Sequence, residues 1–320
     1  MLERPLAGPM AWVGESLLPD DGRVYLNQAA LAELAEAAAV LAANPLPTEA
    51  LELSDFELPA TRAQLAEVRR TLDAGIGFAI IDRLPVPELD AAGATGLYWL
   101  LMSMLARPVA QTWKGELVYD IVDDGEKTAP GNGVRSSKTN SAQNYHTDNA
   151  FNLPPDYVSL LCLRTAKEGG ESGLVSLESV HNILLDRHRA ALDRLYRPFW
   201  FDRQREHAPG EPLASRKPLF TYDDGKLGIA FSIRLIHQGY AVAGETMDNL
   251  TREAVETLTE VVARPGLGKV FHFEPGQIQV INNRRIGHRR GAYIDWPEPE
   301  RRRHLVRLWM REAGRPFYQG

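Results

Sequence analysis

Asn144-Tyr145-His146-Thr147-Asp148 lies where the chain changes texture, and its reading decides the fold. On an extended chain, residues i and i+2 project to one side, so His146 and Asp148 can reach a single metal ion. The run is preceded by a polar stretch, residues 123–142, rich in Gly, Ser, Asn and Lys. Twenty residues without an evident element are long for a compact domain, and such loops are often lids. Beyond the run, Tyr157 to Leu163 reads as a strand, turned by Gly169-Gly170 into Leu174-Val175-Ser176-Leu177. The pair Leu219–Tyr222 and Leu227–Phe231 turns at Asp223-Asp224-Gly225, a hairpin signal. Val270–Phe273, Gln277–Asn283 and His304–Arg311 complete the strands, with Leu117–Val122 on the near side. Short strands without regular βαβ alternation predict a mainly β molecule with flanking helices, a β-sandwich or jelly roll.

The helices fall mostly outside this region. Ala29–Ala43 is an Ala-rich helix, and a second starts at Thr61, with Gln64 at capping-box spacing. A strand, Phe78–Ile81, separates it from a third helix running from Pro87 to about Leu105. Two more are expected near 179–197 and 251–262. The reading is one domain over 1–320, with a mainly helical part, 1–110, packing on a core at 111–320 that carries the metal site.

With 44% apolar and 24% charged residues, the 320-residue chain can bury a substantial core. The net charge of −6 disfavours a dedicated nucleic-acid protein. The single cysteine, Cys162, lies in an apolar run and reads as a buried core thiol, which suits a reducing, cytoplasmic setting. No stretch approaches the ~20 apolar residues that span a bilayer, and Met1-Leu2-Glu3-Arg4-Pro5 lacks the build of a signal peptide. No membrane or nucleic-acid partner is expected, and the oligomeric state, homo-oligomer included, stays open.

The His-x-acid spacing alone carries little. With 8 histidines and 42 acids in 320 residues, chance supplies about one such pair. A second does occur, His272-Phe273-Glu274. The rest of a site separates them. A facial triad of two histidines and one carboxylate leaves three positions open on octahedral iron, for a chelating cosubstrate and O₂. The third ligand must return from a distant strand, and a fixed cation must hold the far end of the cosubstrate. For His146 and Asp148, His288 follows 142 residues later, and beyond it lies the apolar-basic strand Arg303–Trp309. The His272 pair has too little chain after it, and Glu274 directly precedes Pro275-Gly276.

His146-Thr147-Asp148, then Gly169-Gly170-Glu171-Ser172, then Asn282-Asn283-Arg284 ahead of His288, then Arg303-x-x-x-Arg307 together resemble the taurine dioxygenase/TfdA superfamily. The order and spacings match over roughly residues 140–312. The resemblance implies a double-stranded β-helix core, Fe(II), 2-oxoglutarate as cosubstrate and O₂. It implies hydroxylation, or desaturation or cyclisation, of a small molecule, with release of succinate and CO₂. It names no substrate, although an amino acid or other small carboxylate fits the class. His146, Asp148 and His288 match the iron ligands. Asp148 argues against the related halogenases, which replace this carboxylate. Arg303 matches the arginine on the distal carboxylate of 2-oxoglutarate, helped by Ser172 where the family usually has threonine. The spacing from His288 is slightly longer than in the taurine-oxidising member, so Arg301 and Arg302 remain alternatives. Arg307, four residues on, could hold cosubstrate or substrate.

Asn144, Tyr145, Asn149 and Phe151 border the ligand pair and are candidate substrate contacts, as are Arg135 and Lys138 in the preceding loop. Ten arginines fall between Arg284 and Arg315, but Glu298 and Glu300 among them weaken a nucleic-acid reading. His304, on the opposite strand face from Arg303, reads as structural. Two other classes stay open: a metal-dependent hydrolase or lyase on a jelly roll, and a non-catalytic metal-binding module. The hydrolase has no need of the Arg303 strand.

Overall fold

In the strand His304–Arg311 the two-residue period of the sequence becomes two faces of a sheet. Val306, Leu308 and Met310 point to one side, into a core shared with the N-terminal helices. Leu305, Arg307 and Trp309 point to the other, where a second sheet faces them. The adjacent strand, Tyr157–Arg164, divides the same way: Leu161 and Leu163 join the helices, while Leu160 and Cys162 turn inward. The computed structural model describes residues 1–85, 89–223 and 225–319. Pro87, the expected start of the third helix, and Asp224 of the hairpin turn lie outside them.

The larger sheet has the order Arg23–Tyr25, Phe78–Asp82, Ile278–Asn282, Tyr157–Arg164, His304–Arg311, Arg107–Val109, with Tyr119–Ile121 also paired to His304–Arg311. The smaller has the order Lys269–Phe271, Ser172–Ser176, Ile286–Arg290, Gln143–His146. The two form the double-stranded β-helix. Gly169 and Gly170 both take positive φ ahead of Ser172, and a Cβ at Gly169 would meet the Ala292 carbonyl at 2.3 Å.

Helices Gln28–Ala43, Pro59–Ala74 and Ala91–Leu105 cover the outer face of the larger sheet. Leu34, Leu65, Leu72 and Leu101 are almost fully buried there, each contributing on the order of 1.5–3 kcal/mol. The ion pair of Arg69 with Asp73 at the rim is partly exposed and worth at most about 1 kcal/mol. Apolar burial therefore holds this layer. Asn27 and Asp90 cap the first and third helices through the backbone N–H groups of Ala30 and Gly93.

The second helix departs from expectation. It begins at Pro59, not Thr61, and no side chain of its own caps it. Glu33 of the first helix accepts instead from the backbone N–H groups of Ala60 and Thr61 and from the Thr61 hydroxyl, each at 2.8 Å. Gln64 turns away to the Asn27 N–H and the Tyr25 carbonyl. A capping-box spacing was read where a neighbouring helix supplies the cap.

Other differences are local. The expected helix over 179–197 is two, Leu177–Arg187 and Arg189–Leu195, broken at His188, where φ −140° and ψ 47° leave the helical region. Leu177 starts that helix rather than ending a strand. The strand expected at Leu117–Val122 shortens to Tyr119–Ile121. Ile286–Arg290, Gln143–His146, the pair Phe199–Asp202 and Ala214–Lys217, and the helix Ile233–Ala243 were not read from the sequence. Among the described residues no helix is long and apolar enough to cross a membrane.

Candidate metal centre between two cavities

Strand pairing brings the two candidate histidines together. His146 ends the strand Gln143–His146, and His288, in Ile286–Arg290, lies directly opposite it. Their rings are 4.2 Å apart, centroid to centroid. Asp148 follows two residues later, and one ligand atom from each of the three lies within 4.8 Å of the others. All three are buried. The Oδ1 atom of Asp148 is 3.4 Å from His146 Nε2 and 3.6 Å from His288 Nε2, so three donors converge on one point.

Each donor is prepared for a cation. The His146 Nδ1 donates to the Asn144 carbonyl at 2.8 Å, which leaves Nε2 as the lone-pair nitrogen. That Nε2 accepts from the Gln143 amide at 2.9 Å. Burial, then the neighbouring His146, pushes the His288 pKa down to about 3 against the pull of Asp148, so its imidazole is neutral at physiological pH. Burial would push the Asp148 carboxyl up, but the Arg307 guanidinium and the two imidazoles hold it well below the usual carboxylate range. Two imidazoles and one carboxylate suit a divalent cation of intermediate softness.

Only one oxygen of Asp148 faces the histidines. The other, Oδ2, accepts from Trp309 Nε1 at 2.7 Å and pairs with Arg307 Nη1 at 3.1 Å. Both partners come from the inward face of His304–Arg311. Arg307 is itself fixed by Nε donating to Gln111 Oε1 at 2.8 Å, and one of its nitrogens, Nη2, has no hydrogen-bond partner among the described residues. The backbone is held too: Asn283 accepts from the Asp148 N–H at 2.8 Å and donates to its carbonyl at 3.1 Å. Asn149 then turns the chain away with φ +56°, a conformation asparagine tolerates better than most residues.

On the His288 side a cavity is bounded by His146, Leu160, Ser172, Arg290 and Arg303. Arg303 is buried, and its Nη1 has no hydrogen-bond partner among the described residues. Its guanidinium and that of Arg290 each lie 5.0 Å from the Tyr293 ring centre. Burial, then the Arg303 charge, lowers the Arg290 pKa to about 10, still charged near neutrality. Arg290 donates to the carbonyls of Thr139 and Ser141 and so ties down the end of the 123–142 stretch. Ser172 donates to Gln279 Oε1 at 2.8 Å. Arg301 lies exposed over the Trp296 ring at 3.6 Å, and Arg302, also exposed, donates to the Trp296 carbonyl. Neither reaches the cavity. His304 bonds Asp120 at 2.6 Å, away from the site, and Glu274 of the rejected pair meets Arg83 at 2.8 Å.

On the Asp148 side a second cavity is bounded by Arg135, Asn149, Phe151, Gln204, Arg234 and Trp309. Arg135 is there as expected, but Glu206 neutralises it. Lys138 is not; it lies 3.5 Å from Asp124 and 5.0 Å from the Tyr119 ring centre. Asn144 and Tyr145 are not there either, and border a different cavity with Ile233 and Val262. The reason is a β-bulge. His288 pairs with His146 while Arg290 pairs with Gln143, so two residues on one strand oppose one on the other. The extra residue breaks the two-residue period and brings Gln143, not Asn144, to the side of His146.

Sequence reasoning missed Gln143, Arg290, Arg234, Gln204 and the supporting Gln111. Arg290 carried a signal, since it lies two residues past His288 on one strand. The others carried none without the bulge and the unread helix.

The profile described as "Taurine catabolism dioxygenase TauD, TfdA family" matches residues 42–309. The chain is 30% identical to FR-33289 synthase of Streptomyces rubellomurinus, over 99% of this chain and 94% of that protein. Its structure is similar to that of an asparagine oxygenase solved with Fe(II), (2S,3S)-3-hydroxyasparagine and succinate, with TM-score 0.68 and 19% identity over 91% of this chain and 94% of that one. It is also similar to the non-haem iron oxygenase OrfP solved with Fe and α-ketoglutaric acid, with TM-score 0.64 and 16% identity over 91% of this chain and 94% of that one.

Proposed function

The chain belongs to the TauD, TfdA family of dioxygenases, and from that premise we propose that it is an Fe(II)- and 2-oxoglutarate-dependent oxygenase that hydroxylates a small amino-acid-like or carboxylate substrate. The observation that carries this reading is the convergence of His146, Asp148 and His288 on one point beside a cavity that ends in the buried Arg303 guanidinium. A metal-dependent hydrolase would use the triad but would gain nothing from a buried, incompletely partnered arginine beyond it.

His146, Asp148 and His288 would hold Fe(II). Arg303 would receive the distal carboxylate of 2-oxoglutarate, as a planar fork matches a carboxylate, and the Ser172 hydroxyl would turn from Gln279 to assist. When bound, the iron, 2-oxoglutarate and O₂ together supply the oxidation, with succinate and CO₂ as coproducts. The protein's own work is placement. Trp309 and Arg307 hold one Asp148 oxygen so that the other faces the metal. The walls of the Asp148-side cavity, with Phe151 and Trp309 as apolar surface, would position the substrate and exclude water. The 3-hydroxyasparagine in the asparagine oxygenase structure, and the (3S)-hydroxy-L-Arg in another OrfP structure, support an amino-acid-like substrate class.

The test is release of CO₂ from 1-labelled 2-oxoglutarate by the Fe(II)-reconstituted protein, with a panel of amino acids and small carboxylates. Iron-dependent release that rises with one class of compound is expected. Turnover of a substrate without 2-oxoglutarate would move the protein to the hydrolase or lyase class.

A further inference from the structure

The Asp148-side cavity contains three arginines, and they are not equivalent. Arg135 is matched by Glu206, and Arg307 by Asp148. Arg234 forms no ion pair among the described residues. Its Nη1 donates to the neutral Gln238 amide oxygen at 2.7 Å, and Nη2 lies 3.5 Å from the Ser136 hydroxyl. Its direct contacts are neutral acceptors, and the Asp202 carboxylate acts on it only from beyond ion-pair distance, so its charge is only partly matched.

Its surroundings point the same way. Arg234 is in the first turn of the 11-residue helix Ile233–Ala243, whose N-cap, Ser232, makes no side-chain cap. The first N–H groups of that helix therefore lack a side-chain acceptor, and the positive end of its dipole opens on the cavity that Ser232 and Leu235 also line. A β-bridge between His146 and Ser232 fixes this helix start beside the metal-ligand candidate. Independently, Ser137 borders both this cavity and the Arg303 cavity, is 95% buried, and its hydroxyl has no hydrogen-bond partner among the described residues. Buried polar groups are rarely left so unless a ligand completes them.

We propose that Arg234, with the Ser137 hydroxyl and the N-terminus of helix Ile233–Ala243, forms a subsite for an anionic group of the prime substrate, a carboxylate or a phosphoryl group. The inference rests on the oxygenase reading for the word substrate. The site and Arg303 border two cavities that share Ser137, Gln143, His146 and Arg307, so each would hold one anion beside the metal ligands: cosubstrate on Arg303, substrate on Arg234. Arg234 is thus a specificity residue, and neutral analogues of the substrate are disfavoured.

Isothermal titration of acetate and of inorganic phosphate into the full-length protein without added iron tests this. The wild type is expected to show a saturable component that Arg234→Gln weakens by about 10-fold or more. Arg234→Lys should keep part of it, which guards against a folding defect, and Arg303→Gln should leave it unchanged. The anion that shows the Arg234-dependent component identifies carboxylate or phosphoryl. Because iron is absent, failure of the oxygenase reading shows separately, as a wild type that forms no Fe(II)-dependent 2-oxoglutarate absorption band. Absence of any component that depends on Arg234, or one lost in Arg303→Gln instead, overturns the proposal.

Discussion

The Trp309 indole makes one hydrogen bond, and with Arg307 it decides which oxygen of Asp148 is free. Its Nε1–H holds Oδ2 at 2.7 Å in a buried setting, where a bond to a charged acceptor is worth about 1.5–3 kcal/mol. Trp309→Phe keeps the ring and removes the donor. Partners that orient a ligand typically account for 10–100-fold in metal affinity, so we expect Fe(II) to bind about 10-fold more weakly, measured by anaerobic titration. Equal affinity would mean that Arg307 alone orients Asp148. Arg307→Ala leaves a buried carboxylate short of its cation, and we expect a loss of about 3–5 kcal/mol in urea unfolding of the metal-free protein. A sequence reading places Arg307 with cosubstrate or substrate because it shares a strand face with Arg303; its ion pair with Asp148 ties it first to the metal ligand. His146, Asp148, His288 and Arg303 were legible as a set because four motifs stand in the order of the family the sequence resembles; the His-x-Asp spacing alone would not have marked them. Arg234 was not, since nothing local distinguishes it from a surface arginine.

Among the elements, two features carry expectations. Glu33 caps a helix it does not belong to. Burial would raise its carboxyl pKa, but three hydrogen bonds from Thr61 and Ala60 outweigh that and lower it. A lowered folded pKa means the stabilisation is present above the unfolded carboxylate pKa and is lost as pH falls through the folded value. Glu33→Gln should therefore cost about 1 kcal/mol near neutrality, the usual worth of a cap. The difference from wild type should vanish in acid, as urea midpoints against pH would show. An acid-independent difference would mean that packing, not the charge, is what Glu33 supplies. The loop 123–142 is the second feature. Arg290 pins Thr139 and Ser141, and Arg135 pins its own segment to Glu206. Proteolysis should cut within 123–134 and spare 135–142, with cleavage slowed when Fe(II), 2-oxoglutarate and substrate are present. Cuts spread evenly over the loop, unchanged by ligands, would make it a passive connector. The sequence gap here was the bulge at Asn144-Tyr145: a two-residue period assigns Asn144 to the site, and one inserted residue assigns Gln143 instead.

At the scale of the whole molecule, the fold divides labour between sheet faces. One face of the larger sheet, through Val306, Leu308 and Met310, is spent on the helical layer, and the other delivers Arg307 and Trp309 to the site. That division was readable, because strict alternation in a strand with both faces buried leaves arginines only where something charged must meet them. The smaller sheet was harder to read. Its strand Ile286–Arg290, Ile-Gly-His-Arg-Arg, has no apolar alternation, since His288 and Arg290 face the site while Ile286 joins the core. The same holds for Gln143–His146. Strands that build sites hide from hydrophobic periodicity.

The central claim is that the triad and Arg303 hold iron and 2-oxoglutarate on one side of Asp148. It is tested most directly by anaerobic titration of 2-oxoglutarate into the Fe(II) protein, following the charge-transfer absorption of the chelate. We expect a saturable band in the wild type and none in His146→Ala or His288→Ala. In Arg303→Ala the band should need about 10- to 150-fold more 2-oxoglutarate, the worth of a charge-assisted pair of roughly 1.5–3 kcal/mol, and Arg303→Lys should recover only part. A band that saturates in Arg303→Ala at the wild-type concentration, or persists in His146→Ala, would contradict the account.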